Sequence, residues 1–241
     1  MLVEFSKQQI KLREELREYF LALMTDDLKA ELNSESTKSG GGPLFKKTLK
    51  QIGQDGWIGL SWPKKYGGKE ATLLDQYIFT EEVMRSGFPY PFLTTDSVGP
   101  TIAEHANQKV KDEIIPKILQ GEIVIAIGYS ESDAGTDLAS LKTKAVHENN
   151  NWLINGQKMW ITNATQADYF CTLVNTSDEN PHVNKSLIII PSDTKGVSIG
   201  DKIDKLGLRT SDTAPVYFDN VCVPQRFRIG NEGEGFKMQM E

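Results

Sequence analysis

The sequence predicts an α+β chain in which a helical N-terminal domain is followed by an antiparallel β sandwich or barrel. Helix-capping patterns and apolar residues at helical spacing occupy the first 121 residues. Beyond Gly121, short apolar segments alternate with turn residues without intervening helical patterns, which indicates antiparallel strands. Helix-forming residues resume near residue 231. We therefore predict domains over 1–121 and 122–230, with 231–241 as the start of a truncated third, helical domain.

Capping residues predict the starts of three helices in the N-terminal domain, and these are Ser6 with Gln9, Pro43, and Thr72 with Asp75. Two shorter helices are predicted across 98–106 and 108–119, and Pro116 predicts a kink or a break in the second of them. The stretch NSESTKSGGG, residues 33–42, has the composition of a loop.

Strands are predicted from seven apolar segments: EIVIAIGYS (122–130), LKTKAVH (141–147), NWLIN (151–155), KMWIT (158–162), DYFCTLVN (168–175), KSLIIIP (185–191) and APVYFDNVCV (214–223). Between the third and fourth of these, Asn155-Gly156 predicts a type I′ hairpin turn, because both residues accept positive φ angles. Further turn residues occur at 148–151, 177–181 and 195–196.

Composition limits the class of function. The 241 residues carry a formal net charge of −6, which argues against a surface for nucleic acid or for an anionic membrane. No apolar run approaches the roughly eighteen residues of a membrane span, and glutamates near the N-terminus fit neither a signal peptide nor a transit peptide. We expect a cytoplasmic protein, or a mitochondrial matrix protein if the source is eukaryotic.

The cysteines and histidines do not suggest a metal or disulfide site. Cys171 and Cys222 lie in apolar, strand-like contexts without C-x-x-C spacing, so we expect both to be buried and reduced. His105, His147 and His182 are far apart and match no zinc-binding spacing.

The densest candidate for chemistry is AIGYSESDAGTDLASLKTKA, residues 126–145. Small and hydroxyl-bearing residues after a buried strand would let N–H groups approach a phosphate or the edge of a ring. On periodicity alone the segment could equally be a decorated β-turn. Glu131 and Asp137 could suggest a glycosidase-type pair, but two carboxylates in one loop are usually solvated. The sequence contains no Gly-rich dinucleotide fingerprint and no P-loop.

Trp160 and Thr162 form a second candidate site. In a strand they share one face, with Ile161 between them. An ordinary core face would place a second apolar group beside an indole, so the pair suggests a surface that holds something flat and partly polar. Taken alone, Trp160 is more simply explained as a core indole of a small β domain.

Seven motifs together resemble the acyl-CoA dehydrogenase family over essentially the whole length. They are WPKKYGG (62–68), IPKILQGE (115–122), YSESDAGTDLASLKTKA (129–145), NGQKMWITNA (155–164), LGLRTSD (206–212), VYFDNVCVP (216–224) and GNEGEGFKMQM (230–240). The resemblance implies an N-terminal helical domain, a middle β-barrel and a C-terminal four-helix domain. It also implies FAD as the cofactor, with its isoalloxazine ring against the barrel.

Two of these motifs, 129–145 and 155–164, lie beside the flavin in the family. In the first, the resemblance implies that backbone groups near Tyr129 and Ser130, with the Ser130 hydroxyl, meet the ring edge. Gly135 belongs to the same cofactor-binding motif, and Thr136 would reach the FAD pyrophosphate or the CoA substrate. Ser130-Glu131-Ser132 stands where the family commonly has Thr-Glu-Pro, and the loss of proline frees this turn.

In the NGQKMWITNA motif (155–164), the resemblance implies that Trp160 packs on the flavin and that the Thr162 hydroxyl hydrogen-bonds near N5, with Ile161 between them. Such contacts tune the cofactor, which performs the redox chemistry itself.

The implied reaction is α,β-desaturation of an acyl-CoA thioester, in which a carboxylate removes the α proton and the β hydrogen leaves as hydride to N5. In the family the base is a glutamate of the C-terminal helical domain or of a nearby helix. About 140 residues, one ordinary domain, are absent relative to the family. No base is assigned within 1–241, including Glu241, and we expect the isolated segment to be inactive.

The resemblance implies further partners, namely an electron-transferring flavoprotein and other subunits in a homo- or hetero-oligomeric dimer of dimers. The loop of residues 33–42 is similar to insertions in members that act on bulky acyl groups. Three alternatives stay open: an acyl-CoA oxidase relative, a flavin monooxygenase relative, and a non-catalytic partner subunit.

Overall fold

The structure, a computed structural model, describes residues 4–34, 41–178 and 180–240, without the side chain of Met240. These residues divide into two compact units. The first comprises residues 4–34, 41–90 and 119–122, and the second comprises 91–118, 123–178 and 180–240.

The first unit is helical, with α1 Lys7–Leu23, α2 Asp26–Asn33, α3 Pro43–Gln54 and α4 Leu73–Ser86. Both predicted capping boxes are confirmed at the N-termini of α1 and α4, and Pro43 begins α3 as predicted. Helices α1 and α4 are joined by Glu82, which is 2% exposed and accepts two hydrogen bonds from the Arg17 guanidinium.

Helix α2 was not predicted from the sequence. Thr25 caps it by accepting a hydrogen bond from the Leu28 N–H, and Asp26 and Asp27 occupy its first turn, where carboxylates interact favourably with the helix dipole. Of the loop predicted over 33–42, residues 35–40 lie outside the described residues, as does residue 241.

The second unit begins with a π-helix at Leu93–Val98, followed by α5 Gly99–His105 and α6 Gln108–Leu119. Pro116 lies inside α6, which continues past it to Leu119; of the predicted kink or break, the break is therefore wrong. Thr94 ties the π-helix to the first strand, because its hydroxyl donates to the Ile125 carbonyl and accepts from the Ile125 N–H. None of the helices in the described ranges is long and apolar enough to cross a membrane.

The strands of the second unit are β1 Ile125–Gly128, β2 Lys144–Glu148, β3 Asn151–Thr162, β4 Tyr169–Asn175, β5 Lys185–Pro191, β6 Val197–Ile199, β7 Thr213–Pro224 and β8 Arg228–Ile229. They form one sheet in the order β6-β7-β3-β2-β4-β5-β8, with β1 paired to β4. A short helix, α7 Gly235–Met240, follows β8. The predicted fold class, a helical part followed by a β domain, is confirmed.

The sheet differs from the closed antiparallel barrel that the resemblance implies. Its strand order is an open path from β6 to β8 among the described residues. The pairs β1–β4 and β2–β4 are parallel, whereas the other pairs are antiparallel.

The predicted hairpin turn at Asn155-Gly156 is wrong. Both residues lie inside the continuous strand β3, and the hairpin instead turns at Asn149-Asn150, within the turn region predicted at 148–151. Gly156 is required there because a Cβ atom on it would lie 2.7 Å from the Thr143 Cα atom. Asn155 serves the neighbouring strand, since its Oδ1 accepts a 2.8 Å hydrogen bond from the Asn220 N–H.

Candidate functional site

The first candidate segment, residues 126–145, begins in strand β1 and continues into a turn at the surface of the second unit. Glu131 and Ala134 exchange backbone hydrogen bonds of 2.8 and 3.2 Å, so Ser132 and Asp133 form the tip of a tight turn. Gly135 and Thr136 follow it and are exposed, and a Cβ atom built on Gly135 would meet nothing within 4 Å.

Glu131 is buried, whereas we expected both carboxylates of this loop to be solvated. Its exposed fraction is 5%, and only Asp137 fits the expectation by being exposed. The Glu131 Oε1 atom lies 2.8 Å from the Lys158 Nζ atom and accepts hydrogen bonds from the Thr143 N–H and hydroxyl. Its Oε2 accepts from the Lys142 N–H. The local reason is that Lys142 and Thr143, the two residues just before β2, lie beside this turn and supply backbone and hydroxyl donors.

These contacts set the ionisation of the pair. Burial raises the pKa of Glu131, but the Lys158 charge, together with hydrogen bonds from Lys158, Thr143 and Lys142, outweighs it and holds that pKa below its usual range. Burial lowers the pKa of Lys158 to about 8, against the opposing effect of Glu131. Asp137 and Glu131 therefore have different environments and do not form an acid/base pair.

Lys158 also joins the two motifs that the sequence singled out. Its ammonium donates a 3.0 Å hydrogen bond to the Tyr129 carbonyl oxygen. One residue further along, the Met159 N–H donates a 2.9 Å hydrogen bond to the Ser130 carbonyl oxygen. The turn after β1 and the second half of β3 are thus held side by side.

Trp160 faces outward beside this junction. Its exposed fraction is 54%, while that of Ile161 is 2% and Thr162 is partly exposed. Trp160 and Thr162 therefore lie on one face with Ile161 turned into the core, as the spacing predicted. The simpler explanation of Trp160 as a core indole is wrong; Trp152, fully buried on the same strand, has that role.

A β-bulge sets this orientation. Between the pairs Lys158–Val216 and Ile161–Ala214, β3 has one more residue than β7, and Trp160 has a φ of +60°. The single β7 residue opposite the bulge is Pro215, which has no N–H to donate to the ladder. The bulge reverses the alternation, so Lys158 and Ile161, three residues apart, both point inward.

The Tyr129 side chain packs against the core rather than toward solvent. It lies in hydrogen-bonding contact with Cys171, and burial raises the pKa values of both groups, to about 12 for Cys171. Cys171 is buried as predicted, but Cys222 is exposed because it lies between the inward-facing Val221 and Val223 of β7.

Lys158 and Thr143 are candidate functional-site residues that were not predicted from the sequence. A pattern was available for Lys158, because alternation from Trp152 and Ile154 places residue 158 on the inward face of β3. A pocket of about 380 Å³ opens beside the buried pair and is lined by, among others, Glu131, Lys142, Thr143, Gln157 and Tyr217.

A helical unit followed by a β unit that places a hydroxyl-bearing turn beside an exposed indole corresponds to the N-terminal and middle domains of acyl-CoA dehydrogenases. The family model described as acyl-CoA dehydrogenase, N-terminal domain, matches residues 6–122, and the model of the middle domain matches 126–221. The chain belongs to the acyl-CoA dehydrogenase family.

The relatives by sequence include acyl-CoA dehydrogenase FadE26 of Mycobacterium tuberculosis, which is 40% identical over 242 residues that cover 99% of this chain and 60% of the relative. Acyl-CoA dehydrogenase FadE29 of the same organism is 35% identical over 99% of this chain and 60% of its own length. The chain therefore spans about 60% of the length of these relatives.

Solved structures with the same fold include the ChsE4-ChsE5 complex from Mycobacterium tuberculosis, with a TM-score of 0.90 and 39% identity, covering 100% of this chain and 60% of the matched one. The Tcur3481-Tcur3483 steroid ACAD has a TM-score of 0.91 and 36% identity, covering 100% of this chain and 62% of the other. Each of these two similar structures is named for two components, ChsE4 with ChsE5 and Tcur3481 with Tcur3483.

Proposed function

We propose that this chain forms the flavin-bearing part of an FAD-dependent acyl-CoA dehydrogenase that desaturates an acyl-CoA thioester between its α and β carbons. The observation that supports this most is the junction of the two motifs, in which Ser130 and Met159 share a backbone hydrogen bond beside an outward-facing indole. An indole and a hydroxyl on one exposed face suit a flat, partly polar ring.

The residues present fit FAD. Trp160 offers a half-exposed aromatic wall, backed by the buried Ile161, and Thr162 offers a hydroxyl on the same face. Ser130 and the backbone of Tyr129 would meet the pyrimidine edge of the ring. The open space around Gly135 and the exposed Thr136 would admit the pyrophosphate or the CoA substrate. FAD, when bound, supplies the hydride acceptor N5.

The protein groups then have three tasks: to hold the ring, to shield one of its faces from water, and to donate hydrogen bonds at its edge. Removal of the α proton needs a desolvated carboxylate with a raised pKa. The pKa of the buried Glu131 is lowered, and it is held by Lys158, so it does not serve as this base. We place the base in sequence beyond residue 241, in a further helical domain that would follow the proposed domains 1–121, 122–230 and 231–241.

We further propose a bulky acyl thioester as substrate and a second, different acyl-CoA dehydrogenase chain as partner. Support comes from the steroid ACAD and the ChsE4-ChsE5 complex, both of which are two-component proteins similar to this chain over its whole length. An electron-transferring flavoprotein is the proposed electron acceptor, by family analogy.

The test is to produce the longest protein that contains this chain, alone and with candidate partner chains, and to record its flavin absorption. Anaerobic bleaching is then measured with acyl-CoA thioesters of increasing bulk, including a steroid thioester. The double variant Trp160→Ala/Thr162→Val should lower FAD occupancy and slow bleaching. Tyr77→Ala, which removes an aromatic of helix α4 with the same exposed fraction of 54%, is the matched control. A colourless protein that refuses added FAD under every condition would overturn the proposal.

A further inference from the structure

One buried carboxylate holds the turn that follows Thr162. Asp212 has no exposed surface. Its Oδ2 atom accepts a 2.7 Å hydrogen bond from the Thr165 N–H, and its Oδ1 accepts one of the same length from the Gln166 amide. Its carbonyl oxygen accepts a 2.9 Å hydrogen bond from the Asn163 N–H. Both carboxylate oxygens are thus used within four residues after Thr162.

The backbone that Asp212 contacts has an uncommon conformation. Trp160 has a φ of +60° and Asn163 a φ of +63°, so two left-handed residues bracket Ile161 and Thr162. Residues with side chains rarely occupy this region, and for a bulky residue such as tryptophan it is a clear outlier. Such conformations persist only where surrounding interactions over-determine them, and they are common at functional sites.

The two left-handed residues are stabilised by different means. At Trp160 the bulge opposite Pro215 allows the outward turn without loss of a ladder hydrogen bond. Asn163 has no such bulge; its N–H donates to the backbone carbonyl of Asp212, whose carboxylate holds the following Thr165 and Gln166. The residue after Asp212, Thr213, is registered directly opposite Thr162 in the β3–β7 ladder. Asp212 therefore lies one residue before Thr213, the strand partner of Thr162.

We propose that Asp212 is a positioning residue for the cofactor surface. By holding the left-handed turn at Asn163, it fixes the outward orientation of Thr162 and, through the short segment between the two left-handed residues, that of Trp160. That this surface binds FAD rests on the proposed function, whereas the effect of Asp212 on the turn does not.

Two substitutions separate the hydrogen bonds of Asp212 from its charge. Asp212→Ala removes both side-chain acceptors. Asp212→Asn keeps an acceptor for the Thr165 N–H, and the Gln166 amide can turn over to meet the new donor, because its Oε1 atom is buried without a partner. Asp219→Asn is the matched control, since Asp219 is an exposed aspartate of β7.

The first measurement is amide hydrogen exchange at Asn163 and Thr165 in the chain without cofactor, at a temperature where each variant is folded by circular dichroism. We expect Asp212→Ala to speed exchange at the Thr165 amide by about tenfold or more, because its charge-assisted hydrogen bond to the carboxylate is lost. The Asn163 amide keeps its bond to the backbone carbonyl of residue 212, so its exchange should speed up less, as the turn loosens. Asp212→Asn should show a smaller increase, and Asp219→Asn none. Unchanged exchange in folded Asp212→Ala would overturn the proposal; if that variant does not fold, unchanged exchange in Asp212→Asn would do so.

The second measurement is FAD affinity and the absorption band shape of bound FAD, in the longest protein that contains this chain. We expect Asp212→Ala to weaken FAD binding about tenfold or more and to alter the band, with recovery in Asp212→Asn. A faster-exchanging turn with unchanged affinity and spectrum would show a purely structural role and reject the positioning effect. Failure of the unaltered protein to bind FAD would reject the proposed function instead, while the exchange data would still decide whether Asp212 holds the turn.

Discussion

The Lys158 ammonium lies 2.8 Å from the Glu131 carboxylate, and the two side chains are 0% and 7% exposed. A buried pair of this kind is costly to desolvate, and its partners must satisfy the remaining donors and acceptors. Thr143, Lys142 and the Tyr129 carbonyl do so. Because Lys158 stands two residues before Trp160 and Glu131 one residue after Ser130, the pair connects both candidate cofactor segments.

Breaking this pair should be strongly destabilising. We expect Lys158→Met to lower the free energy of unfolding by about 3–5 kcal/mol, because it leaves the Glu131 carboxylate buried without a cation. The double variant Lys158→Met/Glu131→Gln should recover most of the loss. Urea unfolding measures all three proteins.

The control for that cycle is Lys144→Met, which breaks a pair of the same 2.8 Å length between Lys144 and Asp178, both exposed. Its effect should stay within about 1 kcal/mol. Equal losses for the two lysine substitutions would show that burial does not govern the Lys158 pair.

The same pair predicts a pH dependence. Because the pKa of Lys158 is lowered to about 8, the unfolded chain binds more protons than the folded one between that pH and the ordinary lysine value of 10.5. Stability from this group is therefore present above pH 10.5 and is lost as the pH falls through about 8. The free energy of unfolding should increase from pH 7.5 to pH 10 in the unaltered chain by roughly 2–3 kcal/mol more than it does in Lys158→Met. Parallel pH profiles would contradict the lowered pKa.

The left-handed conformation of Trp160 makes a prediction about glycine. At a φ of +60°, Trp160→Gly should be more stable than Trp160→Ala by about 1 kcal/mol, because glycine adopts this conformation without a Cβ clash. At Tyr217, an exposed strand residue without positive φ, the order should reverse, with alanine favoured by roughly 0.5–1 kcal/mol. Thermal unfolding of the four variants decides. The same order at both positions would argue against the bulge.

Gly156 tests the close approach of β3 to Thr143. A Cβ atom there would lie 2.6 Å from the Thr143 Oγ1, at a φ of +145°. We expect Gly156→Ala to destabilise the chain by about 1–3 kcal/mol, because backbone and hydroxyl must move apart. Gly207→Ala, whose Cβ atom meets nothing within 4 Å and whose φ is not positive, should be nearly neutral in a denaturant titration. A tolerated Gly156→Ala would show that β3 does not approach Thr143 this closely.

Local chemistry was sufficient to predict much of the fold. Ser6 with Gln9 and Thr72 with Asp75 start helices because each pair satisfies N-terminal N–H groups within its own turn. Strand alternation also predicted that Trp160 and Thr162 share a face, but the bulge between Lys158 and Ile161 decides that this face points outward. The family was readable from motifs spread along the chain.

Tertiary contacts decided the rest. Asn155-Gly156 has the composition of a hairpin turn, but strand β7 pairs along nearly the whole of β3, so the glycine meets Thr143 and the asparagine binds Asn220 instead. Alternation places Lys158 on the inward face of β3 without identifying its partner, and Asp212 looks like an ordinary surface charge in the sequence. Lys158 pairs with Glu131, 27 residues away along the chain, and Asp212 with the turn at Thr165, 47 residues away. Each charge can be buried because the fold brings that distant partner within hydrogen-bonding distance. Capping and alternation depend on neighbours within one element, so sequence alone determined them; a buried charge depends on distant partners, which only the folded sheet brings within hydrogen-bonding distance.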